Sequence, residues 1–295
     1  MSPYTPDPAP APTAPAALPA AAPLAGLLGR PHIVEFDHVT KTFPDGFTAI
    51  KDISFKVEDL PGKGEFITIL GPSGCGKSTI LRIIAGLRPQ FPPSSGAALV
   101  GGRPIAGPGA DRGMVFQDYT AFDNRTVEDN VAFGLECRGV PAKERRARAR
   151  DWIRRVGLNA DRDADKYPFQ LSGGMRQRVA IARTLILNPK IILMDEPFGA
   201  LDPSTRLRMQ DLLVTLWREL EATVFFVTHS IEEAVYLGDR TYVISSAPGT
   251  ILKEVQVPPP DRPAHMMQRE PAFLEVVFSL RDMIEKLEPS TRAGD

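Results

Sequence analysis

The sequence predicts an α/β fold built on a mainly parallel sheet, and three stretches predict it. Each is a short apolar run that stops at polar or charged residues. Phe66 to Leu70 precedes a glycine-rich loop, Ile191 to Met194 precedes Asp195-Glu196-Pro197, and Thr223 to Val227 precedes Thr228-His229-Ser230. Apolar runs without alternation read as strands covered on both faces, the condition of a parallel sheet flanked by helices. Ligands of such sheets bind outside the carboxyl ends of the strands, so the residues that end these runs are candidate site residues. With 295 residues, 43% hydrophobic and 24% charged, the chain holds enough material for one large domain with an insert and a tail. A net charge of -1 gives no global basicity for nucleic acid. No run of about 18 apolar residues offers a membrane span. Cys75 and Cys137 make no disulfide framework, and a bridge at Cys75 would lock the glycine loop, so a reducing compartment is expected.

In chain order, residues 1–31 form an Ala/Pro-rich tail with eight prolines before Arg30-Pro31 and one acidic residue, Asp7. Proline at this density predicts a disordered, partly polyproline-like segment. It lacks the basic start of a secretory leader, and Leu24 to Leu28 is too short for its apolar stretch. Strand patterns follow at Ile33 to Phe36, Lys41 to Phe43 and Ala49 to Val57, the last with one wet face. Glu58 to Gly64 reads as a turn before the Phe66 strand, and Ile80 to Gly86 as a helix after the glycine loop. Ala98 to Val100 and Met114 to Phe116 read as further strands, the second delivering Gln117 to a loop. Val127 to Arg138 and Ala142 to Val156 look helical. The latter carries Lys143 and six arginines, which could meet nucleic acid or anionic lipid but more often make a solvated face.

The glycine loop carries the chemistry. Gly71-Pro72-Ser73-Gly74-Cys75-Gly76-Lys77-Ser78-Thr79 sits between strand and helix, the context a phosphate-binding loop requires. Its glycines let backbone N–H groups curl around a polyphosphate, and the helix start aims its positive end at the same anion. Lys77 is placed to reach the β- and γ-phosphates, and the Ser78 hydroxyl to ligate Mg²⁺. The chain is therefore expected to bind a nucleoside triphosphate. Ser172 with Gly173 and Gly174 is an N-cap with exposed N–H groups before a helix through Val179 and Leu185. Asp195 is placed to hold Mg²⁺ through water, and Glu196 to polarise an attacking water as general base. Asp202 leads into a helix with Met209, Leu213 and Leu216 on one face. His229 ends its strand beside those carboxylates, which favours γ-phosphate contact over a structural role.

With these residues in hand, the chain resembles the ATP-binding subunits of ABC transporters over roughly residues 33–250. Gly71 to Thr79 is similar to Walker A, Gln117 to the Q-loop, Leu171 to Gln177 to the signature and Ile191 to Glu196 to Walker B. Ala200-Leu201-Asp202 resembles the D-loop, and His229 the switch histidine. Phe43 lies where the family stacks an aromatic on adenine, with Phe47 as the nearby competitor. The resemblance implies a P-loop NTPase: a RecA-like, mainly parallel sheet with an antiparallel β subdomain and an inserted α-helical subdomain at about 120–172, all within residues 32–257. It implies ATP and Mg²⁺, with Glu196, His229 and Gln117 catalytic and Ser78, Gln117 and Asp195 at the metal. Two copies would face head to tail, so that Ser172, Gly173, Gly174 and Gln177 meet the nucleotide on the partner, with Asp202 at the seam.

A narrower resemblance, through Gly107 to Gln117 and Ala247 to Ile251, is to the nitrate/sulfonate/taurine-type importer ATPases. It implies a motor for uptake of a small anion through a separate permease, with Gln117 and Asp118 to Arg125 touching that permease and a solute-binding protein as indirect partner. The expected location is peripheral, on the cytoplasmic face of the inner membrane, with no nucleic-acid partner. Phe122-Asp123-Asn124-Arg125 departs from the apolar or aromatic stretch usual there, as do the 58–63 insertion and the Ala/Pro tail. The competing readings are a soluble ABC ATPase acting on nucleic acid or ribosomes, and the ATPase of an exporter. Residues 258–295 form an extension in which Pro271 to Leu287 reads as an amphipathic helix. Phe273, Val277, Leu280, Ile284 and Leu287 have heptad spacing, too short for a coiled coil, so packing on the chain's own core is expected.

Overall fold

The computed structural model describes residues 32–59, 62–118 and 120–287. The predicted Ala/Pro tail and part of the 58–63 insertion lie outside the described residues.

Two sheets form the frame. An antiparallel sheet takes β1 (His32–Thr42), β2 (Thr48–Glu58), β4 (Ser95–Val100) and β5 (Arg103–Pro104) in the order β2-β1-β4-β5. The central sheet takes β3 (Phe66–Leu70), β6 (Arg112–Val115), β7 (Ile191–Asp195), β8 (Thr223–Thr228), β9 (Arg240–Ile244) and β10 (Ile251–Gln256) in the order β10-β9-β3-β8-β7-β6. Every pairing in it is parallel except β10 with β9 at the edge. The two patterns expected at 33–36 and 41–43 are one strand. Register shifts between Phe36 and Val39, with His38 at φ 50°, absorb the polar residues that broke the apolar pattern.

The unbroken apolar runs are buried on both faces because their residues alternate between two cores. Ile67, Leu193, Phe225 and Val227 join one core with α1 (Lys77–Ala85) and the inner residues of β1 and β2. Phe66, Ile192, Met194, Val224 and Phe226 join the other, with helices α2 (Val127–Cys137), α3 (Ala142–Arg155), α5 (Gly173–Leu185), α6 (Pro203–Arg218) and α7 (Ile231–Leu237). Between them in sequence lies the one-turn α4 (Ala160–Asp163). The period-2 side-chain direction of a strand thus feeds both layers from one run of apolar residues.

The segment between β6 and α5 is helical. Thr126 caps α2 by accepting from Asp129 N at 3.2 Å. The chain returns to α2 through Val127 N to Lys166 O (2.8 Å) and Glu128 N to Ala164 O (2.9 Å). The basic run of α3 is matched by carboxylates: Arg146 and Arg150 meet Glu128, Arg148 meets Glu144, and Arg155 reaches Glu219 while lying 3.9 Å from the Trp152 ring centroid.

After β10 come α8 (Ala264–Met267) and α9 (Pro271–Leu287). Phe273, Val277 and Leu280 are buried in the helical-side core with Ile284 packed at its margin, as the own-core reading expects. Ala264 N and Tyr236 Oη both donate to Asp211 Oδ1 at 2.7 Å, which anchors the extension to α6 and α7.

Candidate functional site

The parallel register brings the loops after four strands to one edge of the central sheet. Leu70 is opposite Thr228, Val227 opposite Asp195, and Met194 opposite Val115. The residues after β3, β6, β7 and β8 are the glycine loop, Gln117, Glu196 and His229.

The glycine loop is shaped by what surrounds it. Gly71 is buried, and Gly74 and Gly76 have φ of 79° and 94°, in the region that L side chains rarely adopt. A Cβ on Gly76 would meet Ile50 Cγ2 at 2.5 Å and Ala49 O at 2.6 Å, so β2 presses directly on the loop. Ala49 O in turn accepts from Gly249 N at 2.9 Å. The start of α1 carries no side-chain cap and no acidic residue in its first turn. Helices α2, α5, α6 and α7 are all capped, by Thr126, Ser172, Asp202 and Ser230. Helices α3 and α8 also lack a side-chain cap; at α1 the uncapped N–H groups follow directly on the glycine loop, an arrangement that fits an anion.

Lys77, expected after the helix-opening glycine, lies in the first turn of α1 and is 4% exposed. Its Nζ donates to Gly71 O at 2.8 Å and to Pro72 O at 2.7 Å, and lies 3.7 Å from Glu196 Oε1. Ser78 Oγ donates to Asp195 Oδ1 at 2.6 Å. Asp195 is 1% exposed, and burial pushes its carboxyl above the usual range while the Ser78 hydrogen bond and the Arg82 guanidinium oppose this. Thr79 is buried; Pro72 is half-buried, and Ser73 is exposed on the loop. Cys75 is buried, and burial pushes its thiol up, away from the reactive thiolate.

Glu196 takes φ 43° directly after β7, with its N–H bonded to Val227 O at 3.1 Å. His229 Nδ1 lies 3.1 Å from Glu196 Oε2, so lysine, carboxylate and histidine form one contiguous group. Gln117 is exposed two residues beyond β6. Phe43 and Phe47 share one tight turn, rings 6.4 Å apart and nearly parallel; Phe47 is half exposed and Lys41 Nζ lies 5.5 Å from the Phe43 centroid.

Ser172 is exposed and caps α5 by accepting from Met175 N at 3.3 Å; Gly173 and Gly174 are half-buried beside it. Gln177 is placed differently: it is 0% exposed, and its amide nitrogen and oxygen have no hydrogen-bond partner among the described residues. Asp202 caps α6, accepting from Thr205 N at 3.0 Å and Ser204 Oγ at 2.8 Å, and these bonds hold its carboxyl well below the usual range.

Two oxygen donors already in contact, Ser78 Oγ and Asp195, beside a loop built for phosphate, fit a hard divalent cation that completes its shell with phosphate oxygens and water. Among the described residues no group of three or more His, Cys, Asp or Glu could hold a metal by itself.

The ABC transporter family model matches residues 50–199, which spans the glycine loop, the Ser172 cap and the Asp195-Glu196 strand end. The chain belongs to the ABC transporter ATP-binding family. It is 50% identical over 227 residues to an uncharacterized ABC transporter ATP-binding protein of Methanocaldococcus jannaschii, covering 76% of this chain and 82% of that one. It is 47% identical over 245 residues to a nitrate import ATP-binding protein of Synechocystis (81% and 87% covered). A taurine import ATP-binding protein of Rhizobium johnstonii is 46% identical over the same length (81% and 90% covered). Among solved structures, a dimeric post-hydrolysis ATP-binding cassette bound to ADP and Pi superposes with a TM-score of 0.66 at 34% identity, covering 76% of this chain and 99% of that one. A Clostridium perfringens subunit of an ABC transporter complex gives 0.68 at 28% identity, with 88% and 99% covered. This ABC subunit is an ATPase on a P-loop NTPase fold and binds ATP.

Sequence reasoning missed two parts of the site. Ala49, Ile50 and Gly249 support the glycine loop from far away in sequence; the signal was the Ala247-Pro248-Gly249 turn, whose partner only the fold supplies. Glu233 is the other. Ser230 and Glu233 have the spacing of a capping box, which hid a buried carboxylate bonded to Thr228.

Proposed function

We propose that this chain is the ATP-hydrolysing motor of an ABC importer for a small anion of the nitrate, sulfonate, taurine or bicarbonate type. The observation that carries it is the identity of 46–47%, over four fifths of this chain, to nitrate and taurine import ATP-binding proteins. Two copies would sandwich two ATP molecules, each held by one copy's glycine loop and the other's Ser172 to Gly174. A related cassette bound to ADP and Pi is dimeric, and Ser172 is exposed, which supports this reading. Among the described residues no helix is long and apolar enough to cross a membrane. Solute would pass through separate permease subunits. The chain would sit peripherally on the cytoplasmic face, with a solute-binding protein as an indirect partner.

In the reaction, backbone N–H groups of residues 73–79 and the Lys77 side chain neutralise the β- and γ-phosphates. Lys77 Nζ, bonded to Gly71 O and Pro72 O, is held within the loop where the phosphates would lie. Ser78, Asp195 and Gln117 would hold Mg²⁺, which supplies charge stabilisation to the transferring phosphoryl group. Glu196 takes a proton from the attacking water, and His229, beside it, faces the γ-phosphate. Phe43 stacks on the adenine.

The permease contact falls on residues 118–125. Phe122 is 37% exposed and packs on Phe133 at 4.6 Å, and the Arg125 guanidinium lies 4.9 Å from the Phe133 centroid. Arg125 Nη1 also pairs with Glu136 at 2.9 Å, so this patch is suited chiefly to a short helix with apolar side chains. Affinity purification of the chain from membranes, with partners identified by mass spectrometry, tests the reading. A stoichiometric multi-span permease, lost on Phe122→Ala/Arg125→Ala, is expected. A ribosomal or DNA complex without a permease would overturn the transport assignment.

A further inference from the structure

Glu233 is a buried acid that the proposed reaction does not use. It is 6% exposed, at the third position of α7. In a capping box its carboxylate would reach back to Ser230 N–H. Here that N–H donates to Thr228 Oγ1 at 3.0 Å instead, and Thr228 Oγ1 donates to Glu233 Oε2 at 2.6 Å. The other half of the box is present, with Ser230 Oγ accepting from Glu233 N at 3.2 Å. Thr228 and Ser230 are the two neighbours of His229 in sequence, so Glu233 holds the hydroxyls on both sides of the histidine and, through Thr228 Oγ1, the Ser230 N–H.

Its second oxygen faces α6, whose cap is Asp202. Gln210 Nε2 lies 3.5 Å from Glu233 Oε1, and Arg206 Nε lies 3.8 Å from the same oxygen. Arg206 Nε is buried with no hydrogen-bond partner among the described residues, while Arg206 Nη2 donates to Leu201 O at 3.2 Å, just before that cap. Glu196, His229, Arg206 and Glu233 line one small cavity. The carboxylate thus joins three parts: the backbone around His229, the start of α6 and the wall of the cavity that holds the proposed base. Gln268 of the C-terminal extension extends the chain of bonds through Gln210 Oε1 at 3.2 Å.

We infer that Glu233 is a positioning residue for ATP hydrolysis: through Thr228 it holds the backbone that keeps His229 against Glu196. This rests on the reading of Glu196 and His229 given above. A hydrogen bond between a hydroxyl and a buried carboxylate is strong, and the alternative, a Glu233 serving only to stabilise α7, leaves the Thr228 geometry without purpose.

The test measures steady-state ATPase of the full chain with Mg²⁺-ATP for the parent, Glu233→Ala, Thr228→Val, His229→Ala and the Glu233→Ala/His229→Ala double variant. Thr228→Val keeps the shape of the residue and removes only the hydroxyl, so it carries the test should Glu233→Ala fold poorly. The expected result is a kcat lowered about tenfold or more in Glu233→Ala and in Thr228→Val, the size of one lost charge-assisted bond, with KM for ATP within about twofold. The double variant should be no slower than His229→Ala alone, because residues that act through one another are not additive. Parental kcat in Thr228→Val, or a double variant slower than His229→Ala by the full Glu233→Ala factor, overturns the proposal while leaving the histidine reading intact. Parental kcat in His229→Ala overturns both.

Discussion

Substituting the two left-handed glycines of the phosphate loop separates backbone strain from steric support. Gly74 and Gly76 have similar φ, 79° and 94°, so alanine at either position carries a left-handed penalty of about 1–2 kcal/mol. At Gly74 a Cβ meets nothing within 4 Å among the described residues, and the penalty ends there. At Gly76 it would sit 2.5 Å from Ile50 Cγ2 and 2.6 Å from Ala49 O. Neither neighbour can withdraw freely: Ile50 is 0% exposed, and Ala49 O is held by Gly249 N at 2.9 Å. Overpacking of this kind costs about 1–3 kcal/mol, and losing the Gly249 bond about 1 more. Gly76→Ala is thus expected to cost about 3–6 kcal/mol in all, against about 1–2 for Gly74→Ala. At roughly 2–4 °C per kcal/mol for a domain of this size, Gly76→Ala should melt on the order of 10 °C below the parent and Gly74→Ala only a few degrees below. Thermal unfolding without nucleotide reads this directly. Equal melting temperatures for the two variants would refute the claim that β2 and the Gly249 turn brace the loop.

The remaining predictions concern stability and binding. Asp163 is 0% exposed and accepts from Arg162, Lys166 and Asn159 N, with Arg162 first among the contacts that hold its carboxyl well below the usual range. Asp163→Asn should cost about 2–3 kcal/mol, since charge-assisted bonds become neutral ones and the exposed arginine counts for less. Because the folded-state pKa is depressed, that stability is fully present above the unfolded value of about 3.9 and is lost as pH falls through the folded one. Denaturant melts of parent and variant should therefore differ constantly from pH 5 to 8 and converge below about pH 4. Phe43→Ala should weaken ATP binding about tenfold, the value of one base–aromatic stack, and Phe47→Ala less; titration with ATP decides which ring holds the adenine.

Much of the site was legible because its chemistry is local in sequence. Gly71 to Thr79 states its own geometry, and the strands ending at Asp195 and Thr228 are unbroken apolar runs whose ends are unambiguous. The amphipathic helix at Pro271 to Leu287 was equally plain, since Phe273, Val277 and Leu280 repeat at helical spacing and are buried together. What was not legible depends on partners remote in sequence. β1 reads as two pieces because a shift near His38 interrupts its pattern. The support of Gly76 by Ala49 and Ile50 requires two strands to meet, which no spacing announces. Gln177 belongs to a surface motif by position but is buried by the turn of its helix. Glu233 hid inside a capping box, where one hydrogen bond to Thr228 changes its meaning.

The central claim is that two copies of this chain bind ATP between them and that Glu196 activates the attacking water. Glu196→Gln tests it most directly, because the amide keeps the side-chain shape beside Lys77 and His229 and removes only the base. The measurement is ATP turnover together with molecular mass by light scattering, in the presence of Mg²⁺ and ATP. The account predicts turnover lowered at least about 100-fold, retained ATP binding, and a dimer that persists because hydrolysis no longer reopens it. Turnover near the parental rate, or a monomer saturated with ATP, would contradict it.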